Sequence, residues 1–305
     1  MSWARYAWLA VPLAGLGELA AHFYFAGRAP TPAEWESART VLTALRKPGD
    51  LLVVAPGWGD PLARKAFGEA LMPLRDVARP DETAYARAIE VSFLGQRAPE
   101  LAEWRAGEGK ESGRFRFRVL SNPAPAAVGF DFVERLGPAR ARVFEQSGAT
   151  SAACAWSSNA RVETGGLPGP PTFPAQRFLC QGGAHYFVGV TIIDDQEYRP
   201  RRCIWAHPTP RGPLVIRFEA VPLGAAIRGH AGLPWLIMRD GAGPPVELEV
   251  RAGGRSLGTF VHRDQDGWSG FEFPTGQAGT STEVEFEVRS TSARDRHFCF
   301  QADTR

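Results

Sequence analysis

The stretch His262-Arg-Asp264-Gln-Asp266-Gly-Trp268 places an imidazole, two carboxylates and an indole close together. Asp264-x-Asp266-Gly267 looks like the start of a calcium loop, but the later ligands of such a loop do not follow. A polar hairpin turn is the simpler reading. An acid–base pair of His262 with Asp264 or Asp266 would need a nucleophile beside it, and none is in the stretch. Sugar recognition asks for less. A flat ring covers an apolar C–H face while polar neighbours bond hydroxyls. On that reading the contact residues are Trp268, His262, Asp264, Asp266 and Arg228, with Trp58 from the first half of the chain. Trp156, Trp205 and Trp235 also fall in the second half, and core packing competes as an explanation for each tryptophan.

Motifs that would fix a reaction are missing. H-E-x-x-H, the Walker A loop and the EF-hand loop do not occur, and no G-x-S-x-G sits on a strand-to-helix elbow. Gly57-x-Gly59 follows a strand-like run and precedes a helix-like one, the place where α/β folds bind ligands. It lacks the third glycine, and Asp60 puts a carboxylate where a phosphate would sit. Asp194-Asp195 reads as a turn. The six histidines have no metal spacing. Neither a metal nor a cofactor is expected, and the chain reads as non-catalytic.

Cys154, Cys180, Cys203 and Cys299 allow three pairings. The order along the chain favours Cys180 with Cys203 and Cys154 with Cys299, provided the compartment is oxidising. Reduced buried cysteines are the alternative. No C-x2-C pair supports zinc.

These residues need elements to hold them. Tyr6–Ala26 is a nearly continuous apolar run, with aromatic residues at both ends, of a length that crosses a bilayer. Glu18 and His22 interrupt it four residues apart, on one helix face. A signal anchor with the amino terminus inside is the leading reading. A cleaved signal peptide lacks an A-x-A site, and a buried soluble helix is the third reading. Thr31-Pro32 with Glu34 then forms a capping box, opening a helix whose stripe is Trp35, Ala38, Val41, Leu42 and Leu45. Asp50–Ala55 reads as a strand buried on both faces. Asp60-Pro61 reads as an N-cap and N1 proline. Arg75–Val77 is expected as a strand, Asp81–Ala88 as a helix, Ile89–Leu94 as a strand, and Phe115–Leu120 as an alternating strand. That order predicts a small α/β domain with a mostly parallel sheet over residues 30–146. Residues 1–29 form the anchor. From 147 to 305 short alternating runs between Gly, Pro and Asp turns predict an all-β sandwich, jelly-roll-like. They include Arg177–Cys180, Tyr186–Ile193, Leu214–Ala220, Ser256–His262 and His297–Ala302.

A net charge of +2 over 305 residues argues against a nucleic-acid partner. Lys47, Lys65 and Lys110 are the only lysines beside abundant arginine, a compositional bias of the kind a GC-rich genome produces.

Two stretches carry resemblances. Trp35 with KPGDLLVVAPGWGDP resembles the soluble regions of family-39-type membrane glycosyltransferases. PPVELEVRAGGRSLGTFVHRDQDGWSGFEF, with the later FEV and FCFQA strands, resembles galactose-binding-like jelly rolls. The first implies a detached accessory domain, because one candidate span replaces the many of those transferases. The second implies a glycan-binding sandwich. The expectation is therefore a single-pass protein whose soluble region lies on the periplasmic side of a bacterial envelope and binds a glycan or a glycan-processing partner. A structural or assembly subunit, docking on a membrane protein through the first helix, and an envelope-sugar hydrolase or transferase are the alternatives.

Overall fold

In the computed structural model, residues 9–165, 171–241 and 243–305 are described. The chain divides into two compact units, residues 1–76 with 85–125, and residues 77–84 with 126–305.

In the first unit, α1 (Ala10–Ala26) buries none of its side chains. Among the described residues no helix is long and apolar enough to cross a membrane. The expected span over 6–26 is thus not reproduced as such. The helix starts at Ala10, and positions 6–8 lie outside the described residues. The capping box of α2 (Pro32–Leu45) is present as expected: Thr31 Oγ1 accepts from the Glu34 backbone, and Glu34 accepts from the Thr31 N–H. Trp35, Ala38 and Leu42 are its buried stripe. β1 (Leu51–Ala55) is buried throughout. In α3 (Asp60–Phe67), Asp60 is the first helical residue, and Gly59 occupies the cap without a side-chain bond. The residues expected as a strand at 75–77 close α4 (Leu74–Val77).

β2 (Arg87–Ser92), β3 (Arg105–Ser112) and β4 (Phe115–Ser121) complete a four-stranded sheet of order β1-β2-β4-β3. Only β1–β2 is parallel, and the other two pairings are antiparallel. The sheet is mixed, where a mostly parallel one was expected, because β3 and β4 form a hairpin turning at Gly113, which has φ +58°. One core cluster of this unit is built by Leu51, Val53, Ala88, Leu101 and Leu120.

The second unit is a sandwich of two antiparallel sheets. Its strands are β5 (Phe130–Asp131), β6 (Ala141–Ser147), β7 (Thr150–Ala153), β8 (Ala155–Ser157), β9 (Arg177–Leu179), β10 (Phe187–Asp194), β11 (Pro200–Ala206), β12 (Leu214–Pro222), β13 (Ala226–Gly232), β14 (Val246–Ala252), β15 (Arg255–His262), β16 (Ser269–Pro274), β17 (Ser281–Arg289) and β18 (Cys299–Thr304). One sheet runs β16-β13-β18-β11-β10-β9-β8, with β5 on β18. The other runs β15-β14-β17-β12-β6-β7. Inward side chains such as Val143, Ile216, Phe218, Val250, Phe286 and Phe300 form the core between them. The expected boundary at 146/147 cuts through this unit: β6 pairs with β7 and with β12, some 70 residues on. Residues 81–84, expected to be helical, are irregular and belong to the sandwich unit.

The disulfides are Cys154–Cys180 and Cys203–Cys299, which corrects the pairing expected from chain order. Strand register explains both. Ala155 lies opposite Leu179, which brings Cys154 and Cys180 together just beyond that pair. Trp205 lies opposite Cys299 on adjacent strands, and Cys203 is on the same face two residues away.

Candidate functional site

The sequence-predicted contact residues separate into three groups. His262 is completely buried, with Nε2 2.8 Å from the Gly267 carbonyl. Burial lowers its pKa, although the Gly267 contact and the nearby Asp264 and Asp266 oppose that shift. Asp264 is buried too. It accepts from the Gly243 N–H at 3.1 Å and forms an ion pair with Arg296, which is 2% exposed. Asp266 accepts from the Arg263 N–H at 2.8 Å and closes the turn. His262 and Asp264 are thus occupied within the loop they fasten. Trp58 belongs to the first unit. It is exposed and packs edge-on against Phe93 at 5.3 Å.

Trp268 and Arg228 do come together, on the outer face of the eight-stranded sheet. β13 supplies Arg228 and His230, two residues apart on one face. Register sets Arg228 between Glu272 of β16 and Asp303 of β18, and His230 between Gly270 and Gln301. The Trp268 indole stacks parallel to His230, with centroids 6.1 Å apart, and the Arg201 guanidinium lies over the indole at 5.8 Å. The Trp268 Nε1–H donates to the Pro80 carbonyl at 3.3 Å, and Arg201 donates to the Arg79 and Pro80 carbonyls. Arg228 Nε reaches Glu272 at 3.2 Å. Arg305 grips Asp303 with two bonds, of 2.6 and 3.0 Å, and also bonds Thr83.

Charge in this patch is balanced by design of the register. Burial would raise the Asp81 pKa, but hydrogen bonds from Thr83 and the charge of Arg305 bring it below its ordinary value. Burial lowers the His230 pKa. Asp81 opposes this, and Arg201, Arg228 and Arg305 reinforce it. At neutral pH the imidazole is thus neutral, with one nitrogen donating and the other accepting. The open rim is Gly270, Glu272, Arg228 and the half-buried Trp268. Such a rim offers a ring face, a guanidinium, a carboxylate and a neutral imidazole. It can bond vicinal hydroxyls, but it presents no activated nucleophile.

Sequence reading missed His230 because it missed β13. AIRGHAG has little β propensity, yet Gly229 is needed there: a Cβ would lie 2.2 Å from the Gln301 carbonyl oxygen and 2.5 Å from Phe271. Of the pair expected as a turn, Asp194 closes β10 opposite Pro200 and Asp195 opens the turn that follows. Asp195 accepts from the Glu197 and Arg199 N–H groups and from Arg201.

A second histidine group surrounds the fully buried Trp205. His185 and His297 stack at 5.6 Å, and His207 lies 5.2 Å from His297. Among the described residues no group of His, Cys, Asp or Glu is arranged to hold a metal. Burial pushes His207 down to about 4, and burial with the neighbouring histidines does the same to His297. Because these folded-state values lie below 6.5, the unfolded chain takes up the protons first. Stability is full above about pH 6.5 and drains as the pH falls toward 4. For His207 alone the loss is on the order of 2–3 kcal/mol. Denaturant titrations at pH 7 and pH 4.5 check this, and His207→Gln is expected to flatten the decline.

No protein-family model matches this chain, and no curated protein matches it. Several solved structures bear a distant likeness. One is the family-51 carbohydrate-binding module of Clostridium perfringens GH95 in complex with methyl-galactose, at 12% identity over 38% of this chain and 81% of that one, TM-score 0.29. Another is the CBM51-2 and INT domains of Clostridium perfringens ZmpB, at 8% identity over 54% and 37%, TM-score 0.28. A third is a family-43 arabinoxylan arabinofuranohydrolase from Bacillus subtilis in complex with cellotetraose, at 12% identity over 71% and 39%, TM-score 0.26. At such scores the likeness carries no argument about this chain, and the sandwich rests on its own strand pairings. The resemblance of residues 35–61 to family-39-type transferases finds no support in these comparisons.

Proposed function

We propose that this chain is a membrane-tethered, non-catalytic binding protein of the bacterial envelope. Its β-sandwich faces the extracytoplasmic side and holds a glycan on the rim of Trp268, Arg228, Glu272 and His230. The observation that carries the reading is the half-buried indole of Trp268, laid parallel to a neutral imidazole, with charged hydrogen-bonding groups at its open edge. Sugar binding uses that combination of an apolar face and directed polar groups.

Two further features support the location. Both pairs of cysteines are joined, a state that oxidising compartments maintain. Helix α1 exposes Val11, Leu13, Leu16, Leu19, Phe23 and Phe25 and is apolar on every face apart from Glu18 and His22. Such a helix is stable against lipid or a partner helix rather than against water.

The test is one preparation with two readouts. The full chain, oxidised and in detergent, is applied to a glycan array and separately reconstituted with lipid vesicles. Trp268→Ala is expected to abolish array binding, at temperatures where the variant is still folded, while leaving vesicle association nearly unchanged. Deleting residues 10–26 is expected to do the reverse. A blank array from folded protein would sink the glycan reading, and a wild-type chain that fails to float with vesicles would sink the tether.

A further inference from the structure

A pocket of about 220 Å³ opens in the first unit, lined by Ser92, Phe93, Glu111 and Arg114, Arg116 and Arg118 among others. It sits where β2 ends, at the carboxyl side of the parallel pair β1–β2. Open α/β sheets bind their ligands outside that edge. Arg116 and Arg118 share one face of β4, since Phe115 and Phe117 turn into the core, and Arg114 precedes them in the hairpin turn. This is the FRFRVL alternation of the sequence, whose basic face had been given no role.

Each guanidinium is held differently. Arg118 is fixed: its Nη1 donates to the fully buried Glu90 at 2.9 Å and to Ser92 Oγ at 3.2 Å. Arg97 bonds the same Glu90 carboxylate through Nε. Glu90 thus works as a buried anchor that aims Arg118, not as a ligand. Arg116 is half exposed and pairs with the exposed Glu111 at 2.7 Å. Exposed pairs of this kind are weak and open readily. Arg114 bonds the Ala29 carbonyl and lies 3.4 Å from Glu34. Four guanidinium groups therefore face three carboxylates, and the surplus positive charge falls at the pocket.

We propose that this pocket is an oxyanion site, taking the carboxylate or phosphate group of a small ligand on Arg116 and Arg118 with Phe93 as its apolar wall. A guanidinium presents paired N–H donors that match such a group, and the volume suits one charged headgroup with a few attached atoms. Glu111 is the competitor: it occupies Arg116 when the site is empty and must swing away when an anion enters. The proposal uses none of the sandwich geometry, so it stands or falls separately from glycan binding there.

Calorimetric titration of the full chain in low-salt buffer tests it, with inorganic phosphate, glucuronate and uncharged glucose as probes. Phosphate or glucuronate is expected to bind and glucose to give no heat. The anion that binds tells whether the natural ligand carries a phosphoryl or a carboxyl group. Arg116→Gln is expected to weaken binding roughly tenfold, and Glu111→Gln to tighten it a few-fold. These two residues are exposed partners, so neither change threatens folding, whereas Arg118→Gln would strip a partner from buried Glu90. Opposite signs for the two variants are the signature of competition for Arg116. Absence of binding by both anions, equal binding of glucose, or affinities unmoved by either variant would overturn the proposal.

Discussion

Replacing Cys203 and Cys299 together by alanine is expected to destabilise the sandwich unit by about 4.7 kcal/mol, and replacing Cys154 and Cys180 by about 3.5 kcal/mol. The difference follows from the lengths of chain the bridges close, 96 and 26 residues, because the longer loop has more freedom to lose when tied. Urea denaturation of the two double variants, followed by tryptophan fluorescence, measures both. The ranking matters more than either value. If the short bridge proved the costlier, local packing at β8–β9 and not chain entropy would control the stability of this unit. The long bridge also has a functional consequence. Cys203 and Cys299 pack with Phe173, Phe187, Ile193 and Trp205, and Trp268 leans on that same cluster. Loss of the bridge is expected to loosen Trp268, so that glycan binding weakens in this variant and survives in the other.

Local periodicity made much of this fold legible. Alternation in 115–120, the buried run 51–55 and the capping box at Thr31 each describe a few neighbouring residues, and each matches an element. Information that depends on distant partners was not legible. The disulfide pairing rests on the β11–β18 register, which joins residues almost a hundred apart. The mixed sheet depends on β4 pairing back onto β2. Strand β6 looked like a continuation of the α/β region, because its partner β12 comes about 70 residues later.

The candidate site shows the same division. Trp268 and Arg228 were identifiable as amphipathic recognition residues by type. His230 was not, since the strand that carries it is held by cross-strand fit around Gly229 and not by propensity. The internal partners of Asp264 and His262 were hidden for a related reason. A D-x-D-G loop is polar by composition, and sequence does not say that an arginine thirty-two residues later will fold over it.

That arginine supports the second large prediction. Arg296 is sealed between Asp264, the Pro244 carbonyl and Gly243, where a Cβ would stand 2.0 Å from its Cζ. Asp264→Ala leaves a buried guanidinium without its counter-charge, and breaking such a pair typically costs about 3–5 kcal/mol. Asp266→Ala removes one bond to an exposed backbone N–H and is expected to cost about 1 kcal/mol or less. Thermal unfolding of both variants separates two views of the loop. If it is a fastening, Asp264→Ala melts far lower, Asp266→Ala barely moves, and glycan binding by whatever remains folded is unchanged. If its carboxylates touch the ligand, both variants lose binding at temperatures where they are still folded, and stability no longer ranks them. The burial of Asp264 and the exposure of Asp266 favour the first outcome, because a carboxylate already committed to a buried arginine and a backbone N–H has little left to offer a sugar hydroxyl.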